Sequence, residues 1–236
     1  MLVAAAVCPC PPLLVPAVAS GAAPELDAVR AACADALGVL AAARPDRLVV
    51  VGPAGRDGPG PYPQGAVGSF RGFGVDVETV LGVSGGRCER PLPTSLAVGA
   101  WLLEHVRWSA APVTGLGVAG EIPADQCVRA GQELVGRPGR VALLVMGDAS
   151  ACRSLKAPGY LDERAAGFDA RAARALETAD LESLESLDVG LAAELKVAGR
   201  APWQVLAGAA RGADLGGALL YEDAPYGVGY LVAAWS

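Results

Sequence analysis

Histidine is nearly missing: His105 is the only one among 236 residues. Hydrolases that use a histidine base need that ring beside the nucleophile, and zinc or iron sites usually take two or three imidazoles. In Trp101-Leu-Leu-Glu-His-Val-Arg-Trp108 the ring falls near the end of a helix, where a histidine interacts favourably with the dipole, so a structural role is expected. Aromatic residues are also few, at 5%, so the core must be built from Val, Leu and Ala, which suits a sheet covered by Ala-rich helices. Basic residues are outnumbered, 19 Lys and Arg against 25 Asp and Glu, giving a net charge of -6. Binding nucleic acid requires clustered cations, so that class of partner is not expected.

Cysteine pairs at metal or redox spacing are absent too. Cys8, Cys10, Cys33, Cys88, Cys127 and Cys152 include no Cys-x-x-Cys, so they read as reduced, partly buried thiols of a cytoplasmic protein. No P-loop is present. The apolar beginning has no Lys or Arg before it and is broken by Pro9, Pro11, Pro12 and Pro16, which argues against both a signal peptide and a membrane span.

What is there alternates strands with helices. Val3 to Cys8 is a short apolar run ending in a proline turn; Pro24 opens a helical stripe through Leu40; Arg47 to Gly52 is a continuous apolar strand. Gly52 to Gly74 reads as a long Gly/Pro loop and Val75 to Leu81 as a strand. A helix capped by Thr94 or Ser95, a strand from Val113 to Ala119, a helix from Pro123 to Leu134 and a buried strand from Val141 to Met146 come next. Then come a polar loop from Gly147 to Gly159, a helix from Leu161 to Leu176, short helices between Asp180 and Arg211, and strands from Gly217 to Tyr221 and from Gly229 to Trp235. The expectation is one α/β domain over residues 1–236, with a central mixed, mostly parallel sheet and helices on both faces.

Gly115-Leu-Gly117-Val-Ala-Gly120 matches a dinucleotide-binding fingerprint by letter, but its glycines fall inside a strand pattern, where the phosphate-binding turn cannot form. The chemistry is expected instead at four strand ends: Cys8-Pro-Cys10, Gly52-Pro-Ala54, Gly147-Asp148-Ala-Ser150 and Glu222-Asp223. In parallel α/β sheets such ends converge on one face, where ligands bind. Cys10 reads either as a thiolate or as a small buried hydrophobe, and Asp148 and Glu222 either as acid and base or as caps. Arg153 and Lys156 could bind an anionic ligand or be solvated. The expected arrangement is a concave pocket with Cys10, Ala54, Asp148 and Glu222 around it, and Glu222 partly withdrawn from water.

Four segments together resemble the class III extradiol ring-cleavage dioxygenases of the LigB-like type and the related Memo-like proteins. They are the Cys8-Pro-Cys-Pro-Pro-Leu-Leu-Val-Pro16 opening, the Val-Val-Val-Gly52-Pro strand end, Met146-Gly-Asp-Ala-Ser150 with Lys156-Ala-Pro-Gly-Tyr-Leu-Asp162, and Tyr221-Glu-Asp-Ala-Pro-Tyr-Gly-Val-Gly-Tyr230. The resemblance implies a ferrous site of two histidines and one carboxylate. Cys10 stands at the first histidine position and Ala54 at the second, no histidine lies between Gly147 and Ser150, and Glu222 matches the carboxylate. The resemblance, with those positions changed, implies a diverged member with a small-molecule pocket and no expected cofactor. Cys10, Asp148, Lys156 and Glu222 would be its catalytic groups, and Ala54, Ser150, Arg153 and Tyr226 would touch substrate. The alternatives are a non-catalytic binding or subunit-type protein, acting as a homo-oligomer or with a partner subunit, and an enzyme using Fe(II) or another divalent metal on Cys10 and Glu222.

Overall fold

The computed structural model describes residues 1–56, 58–83 and 90–236; Cys88, expected to be a reduced thiol, lies outside them. Nine strands alternate with helices among the described residues. The first part of the chain contains β1 (Leu2–Cys8), α1 (Pro16–Ala19), α2 (Asp27–Ala42), β2 (Arg47–Ala54), β3 (Gly60–Tyr62), β4 (Val67–Ser69) and β5 (Glu78–Val80). The middle contains α3 (Thr94–His105), β6 (Val113–Ala119), α4 (Ala124–Val135), β7 (Val141–Met146) and α5 (Arg164–Glu177). The chain ends with α6 (Leu181–Glu185), α7 (Val189–Glu194), α8 (Arg200–Ala210), β8 (Gly217–Asp223) and β9 (Tyr230–Trp235).

Seven of these strands form one sheet in the order β3-β6-β2-β7-β1-β9-β8. The four central strands, β6, β2, β7 and β1, are parallel to one another. β9 is antiparallel to β1, and β8 is antiparallel to β9, so β8 runs with β1. The C-terminal ends of β1, β2, β6, β7 and β8 therefore share one rim, as expected for a mostly parallel sheet.

The two most apolar runs lie at the centre because both of their faces are covered. Along β7, Leu143 and Val145 pack with the helices α4 to α8, whereas Ala142, Leu144 and Met146 pack with α2 and α3. β1 and β2 divide in the same way: Val7 and Val51 face the first core, Ala6 and Val50 the second. The small side chains of β1 leave room for α2 on one face and for the Trp203 region on the other.

The Gly/Pro stretch after β2 is not a plain loop. Its Gly60–Tyr62 segment adds an antiparallel edge strand to β6, and Val67–Ser69 pairs with Glu78–Val80 in a separate two-stranded sheet. The strand expected over Val75 to Leu81 is thus shorter and lies outside the main sheet. Gly115 and Gly117 lie within β6, as the strand pattern requires. A side chain at Gly117 would meet the Gly58 carbonyl at 2.3 Å, so this glycine is needed for the close pass of the preceding loop. Neither Thr94 nor Ser95 caps α3, which Pro93 precedes; Ser95 Oγ donates instead to the Pro53 carbonyl at 2.6 Å and ties α3 to the end of β2. His105, exposed at the end of α3, stacks on Trp101 at 5.1 Å, in keeping with a structural role.

Candidate functional site

The rim brings Cys10 and Asp148 into contact. Two residues after β1, the Cys10 backbone N–H donates to Asp148 Oδ1 at 2.7 Å. Just before Asp148, Gly147 N–H donates to the Cys8 carbonyl at 2.9 Å, which continues the β1–β7 pairing past the strand ends. From the opposite side the Asp148 carbonyl accepts the Gly199 N–H at 2.8 Å, where the start of α8 meets β7. A Cβ on Gly147 would lie 2.3 Å from Gly199 Cα, so only glycine lets the helix approach this closely.

Burial dominates the electrostatics of this pair. Asp148 retains part of its surface as a residue. Its carboxyl is nevertheless packed so that desolvation raises its pKa from 3.8 to about 7, against the opposing pull of the Cys10 N–H. The Cys10 thiol is pushed well above its ordinary range, first by burial and then by the Asp148 charge. It stays protonated at neutral pH, which suits a small buried side chain rather than a thiolate ligand. Tyr230, at the start of β9, is buried beside the two; burial and then Asp148 and Cys10 raise its pKa. A carboxyl group, a thiol and a phenol thus sit together at the middle of the rim, with one proton exchangeable near neutrality.

The other expected site residues are placed differently. Ser150 and Arg153 both bond to Asp169: its carboxylate accepts the Ser150 N–H at 2.8 Å and Oγ–H at 2.7 Å, and Arg153 Nη1 donates to it at 2.9 Å. Asp169 and Ser150 are both buried, so this network pins the loop after β7 onto α5. Lys156 is exposed on that loop. Tyr226, also exposed, has a left-handed backbone with φ 59°, and its hydroxyl donates to Glu25 Oε2 at 2.7 Å. That bond joins the turn before β9 to the segment before α2.

Ala54, at the end of β2, lies one strand from β7 and two from β1, whereas Glu222 is set apart from it. β2 and β8 are four strand positions apart, about 19 Å at the usual spacing, with Cys10 between them. Glu222 is level with Leu231 on the edge strand and is exposed, contrary to the expected partial withdrawal from water. A cleft of about 720 Å³ lies elsewhere, at the β3–β6 edge of the sheet, beside α4. A second, of about 500 Å³, lies between the start of α2 and His105.

Three donors converging on one point are what a two-histidine-one-carboxylate iron would need. At the matching positions the chain offers a buried protonated thiol, an alanine without a donor atom and an exposed glutamate. Among the described residues no group of three His, Cys, Asp or Glu side chains could hold a metal ion. The residues present do not fit the iron site that the resemblance implies.

Sequence reasoning missed Tyr230 and Asp169. Asp169 was open to detection, since it interrupts the small apolar stripe of Ala165, Phe168, Ala172 and Ala173 on α5, and an acid on a buried stripe needs a partner. Tyr230 stood inside one of the resembling segments, and its burial depends on β9 being an inner strand.

No protein-family model and no curated protein matches the chain. Among solved structures it is similar to an uncharacterized protein of Escherichia coli, with 13% identity, a TM-score of 0.55 and 99% of each chain covered. At that identity the likeness concerns the fold. Among the described residues no helix is long and apolar enough to cross a membrane.

Proposed function

We propose that this chain is a diverged member of the class III extradiol dioxygenase (LigB-like) superfamily that works without the family's Fe(II), holding a small molecule at the rim beside Asp148. One observation carries the reading: at the first histidine position the backbone binds a half-buried carboxyl whose pKa is near neutrality, at about 7. A group in that state can give or take a proton from a ligand at physiological pH. The same reading places the protein in the cytoplasm with its thiols reduced. Ring cleavage by a metal on Cys10 and Glu222 is disfavoured by the exposure of Glu222.

A second reading, a non-catalytic binding or subunit-type protein on the same scaffold, draws support from Ser150 and Arg153. Both bond to Asp169, which gives them a structural role that needs no ligand. Anaerobic loading with Fe(II), followed by iron analysis and a catechol assay, tests what the two readings share. Both expect no stoichiometric iron and no yellow ring-fission product; near-equimolar iron with that product would overturn both. A screen of small carboxylates, phenols and amides against wild type and Asp148→Asn then separates them. Binding that depends on Asp148 supports the first, and sedimentation as a complex with a second copy or partner subunit, without such binding, supports the second.

A further inference from the structure

We propose that the cleft at the β3–β6 corner is a second ligand site, independent of the rim, for a compact molecule with an apolar body and one carboxylate. The space exists because of how α4 is seated. Gly131 of α4 and Gly208 of α8 let the two helices touch backbone to backbone: a Cβ on Gly131 would lie 2.0 Å from the Val205 carbonyl, and one on Gly208 would lie 2.1 Å from the Val128 carbonyl. Drawn against α8, α4 packs on it and on α6, not squarely on β6. The short β3 pairs with Gly115 to Gly117 only, so it does not fill the corner either.

What remains is a cleft of about 720 Å³, within the usual range of about 300–1,000 Å³ for small-molecule sites. Its floor is apolar, from Val49 and Leu116 on the sheet and Ala130 and Leu134 on α4. Leu116, Ala130 and Leu134 keep part of their surface open, so an apolar ligand body would cover area now facing water. The charged groups at the mouth are Arg47, Glu133 and Arg137. Arg47 is already committed, donating to the Leu134 carbonyl at 3.0 Å and the Pro138 carbonyl at 3.3 Å. Arg137 is exposed and makes no ion pair among the described residues. Two cations against one carboxylate leave the mouth positive in a chain whose net charge is -6. A guanidinium at the edge of an apolar slot is matched by a carboxylate, which it can bind through two N–H groups. The exposed Thr114 on the cleft wall offers a further hydroxyl.

The test is calorimetric titration of the whole protein with 2-naphthoate and with its uncharged amide. Saturable one-to-one binding of the acid is expected, with the amide about tenfold weaker, the size of one charge-assisted hydrogen bond. Arg137→Ala, at an exposed position, should weaken the acid by about the same factor and leave the amide unchanged. Ala130→Trp, which fills the slot, should abolish binding of both, whereas Asp148→Asn at the rim should change neither. Absence of saturable binding at millimolar ligand would overturn the proposal. So would equal affinity of wild type and Arg137→Ala for the acid, or loss of binding in Asp148→Asn, which would move the ligand to the rim.

Discussion

The middle of the sheet's C-terminal rim and the corner beside β3 are opposites. At the rim, polar groups just after β1 and β7, at the start of α8 and on α5 are bonded to one another: Cys10 to Asp148, Asp148 to Gly199, and Ser150 and Arg153 to Asp169. At the corner an apolar floor stays uncovered, with the Arg137 guanidinium at its mouth. The rim gathers titratable, hydrogen-bonded groups, and the corner an open apolar floor with few polar groups. A motif therefore points to where reactive groups gather, which need not be where a molecule fits.

The sharpest way to break the contrast is to unfasten the rim. Asp169→Ala leaves the Ser150 hydroxyl and N–H and the Arg153 guanidinium without their acceptor in a buried place. Loss of such a network typically costs about 3–5 kcal/mol, so the urea midpoint should fall steeply. Preservation of the midpoint would mean that the loop after β7 is held by something other than Asp169.

The corner can be attacked through its cause. Gly131→Ala puts a methyl group into the α8 backbone, and with no flexible side chain to yield, about 3 kcal/mol of destabilisation is expected, the upper end for overpacking. Thermal unfolding measures it; an unchanged Tm would show that α4 is not held by the glycine contact.

A smaller effect concerns pH. Asp148 has a folded-state pKa of about 7 against an ordinary 3.8, so the native state keeps a proton that the unfolded chain has released. The stabilisation this gives is complete below about pH 4 and is lost as pH rises through about 7. Three units would correspond to about 4 kcal/mol; allowing for the residue's partial contact with solvent, about 1–2 kcal/mol is expected. Stability curves of wild type and Asp148→Asn should diverge by that amount between about pH 4 and 8, the variant gaining relative to wild type. Parallel curves would show that Asp148 ionises normally.

Least of all should come from Glu222→Gln. As an exposed residue on an edge strand it belongs to neither region, and a change within about 0.5 kcal/mol is expected, with any ligand binding at the rim intact. Loss of rim binding in this variant would restore Glu222 to the site.

Much of the fold was legible in the sequence. The runs Leu48 to Val51 and Val141 to Met146 have no polar position to offer to solvent, so they had to lie inside a doubly covered sheet. The convergence of strand ends, and with it the meeting of Cys10 and Asp148, was implied by the parallel order. Glu222 was misjudged because Leu219-Leu220-Tyr221 reads as a buried run, whereas on the edge strand burial alternates and Leu220 is 41% exposed. β3 and β4 were hidden in a Gly/Pro stretch because each is only three residues long and is fixed by its pairing partner, not by local propensity. The corner cleft left no sequence signal, because it results from a helix-helix contact between glycines far apart in the chain.

In the proposed function, a carboxyl group that keeps its proton near neutrality takes the place of the iron site at the rim. Carbon-13 NMR of the Asp148 side-chain carboxyl, followed from about pH 3 to 9 with and without Fe(II) under anaerobic conditions, tests it most directly. A midpoint of about 7 that does not respond to Fe(II) is expected. A midpoint near the ordinary 3.8, or broadening of this carbon by stoichiometric Fe(II), would contradict it.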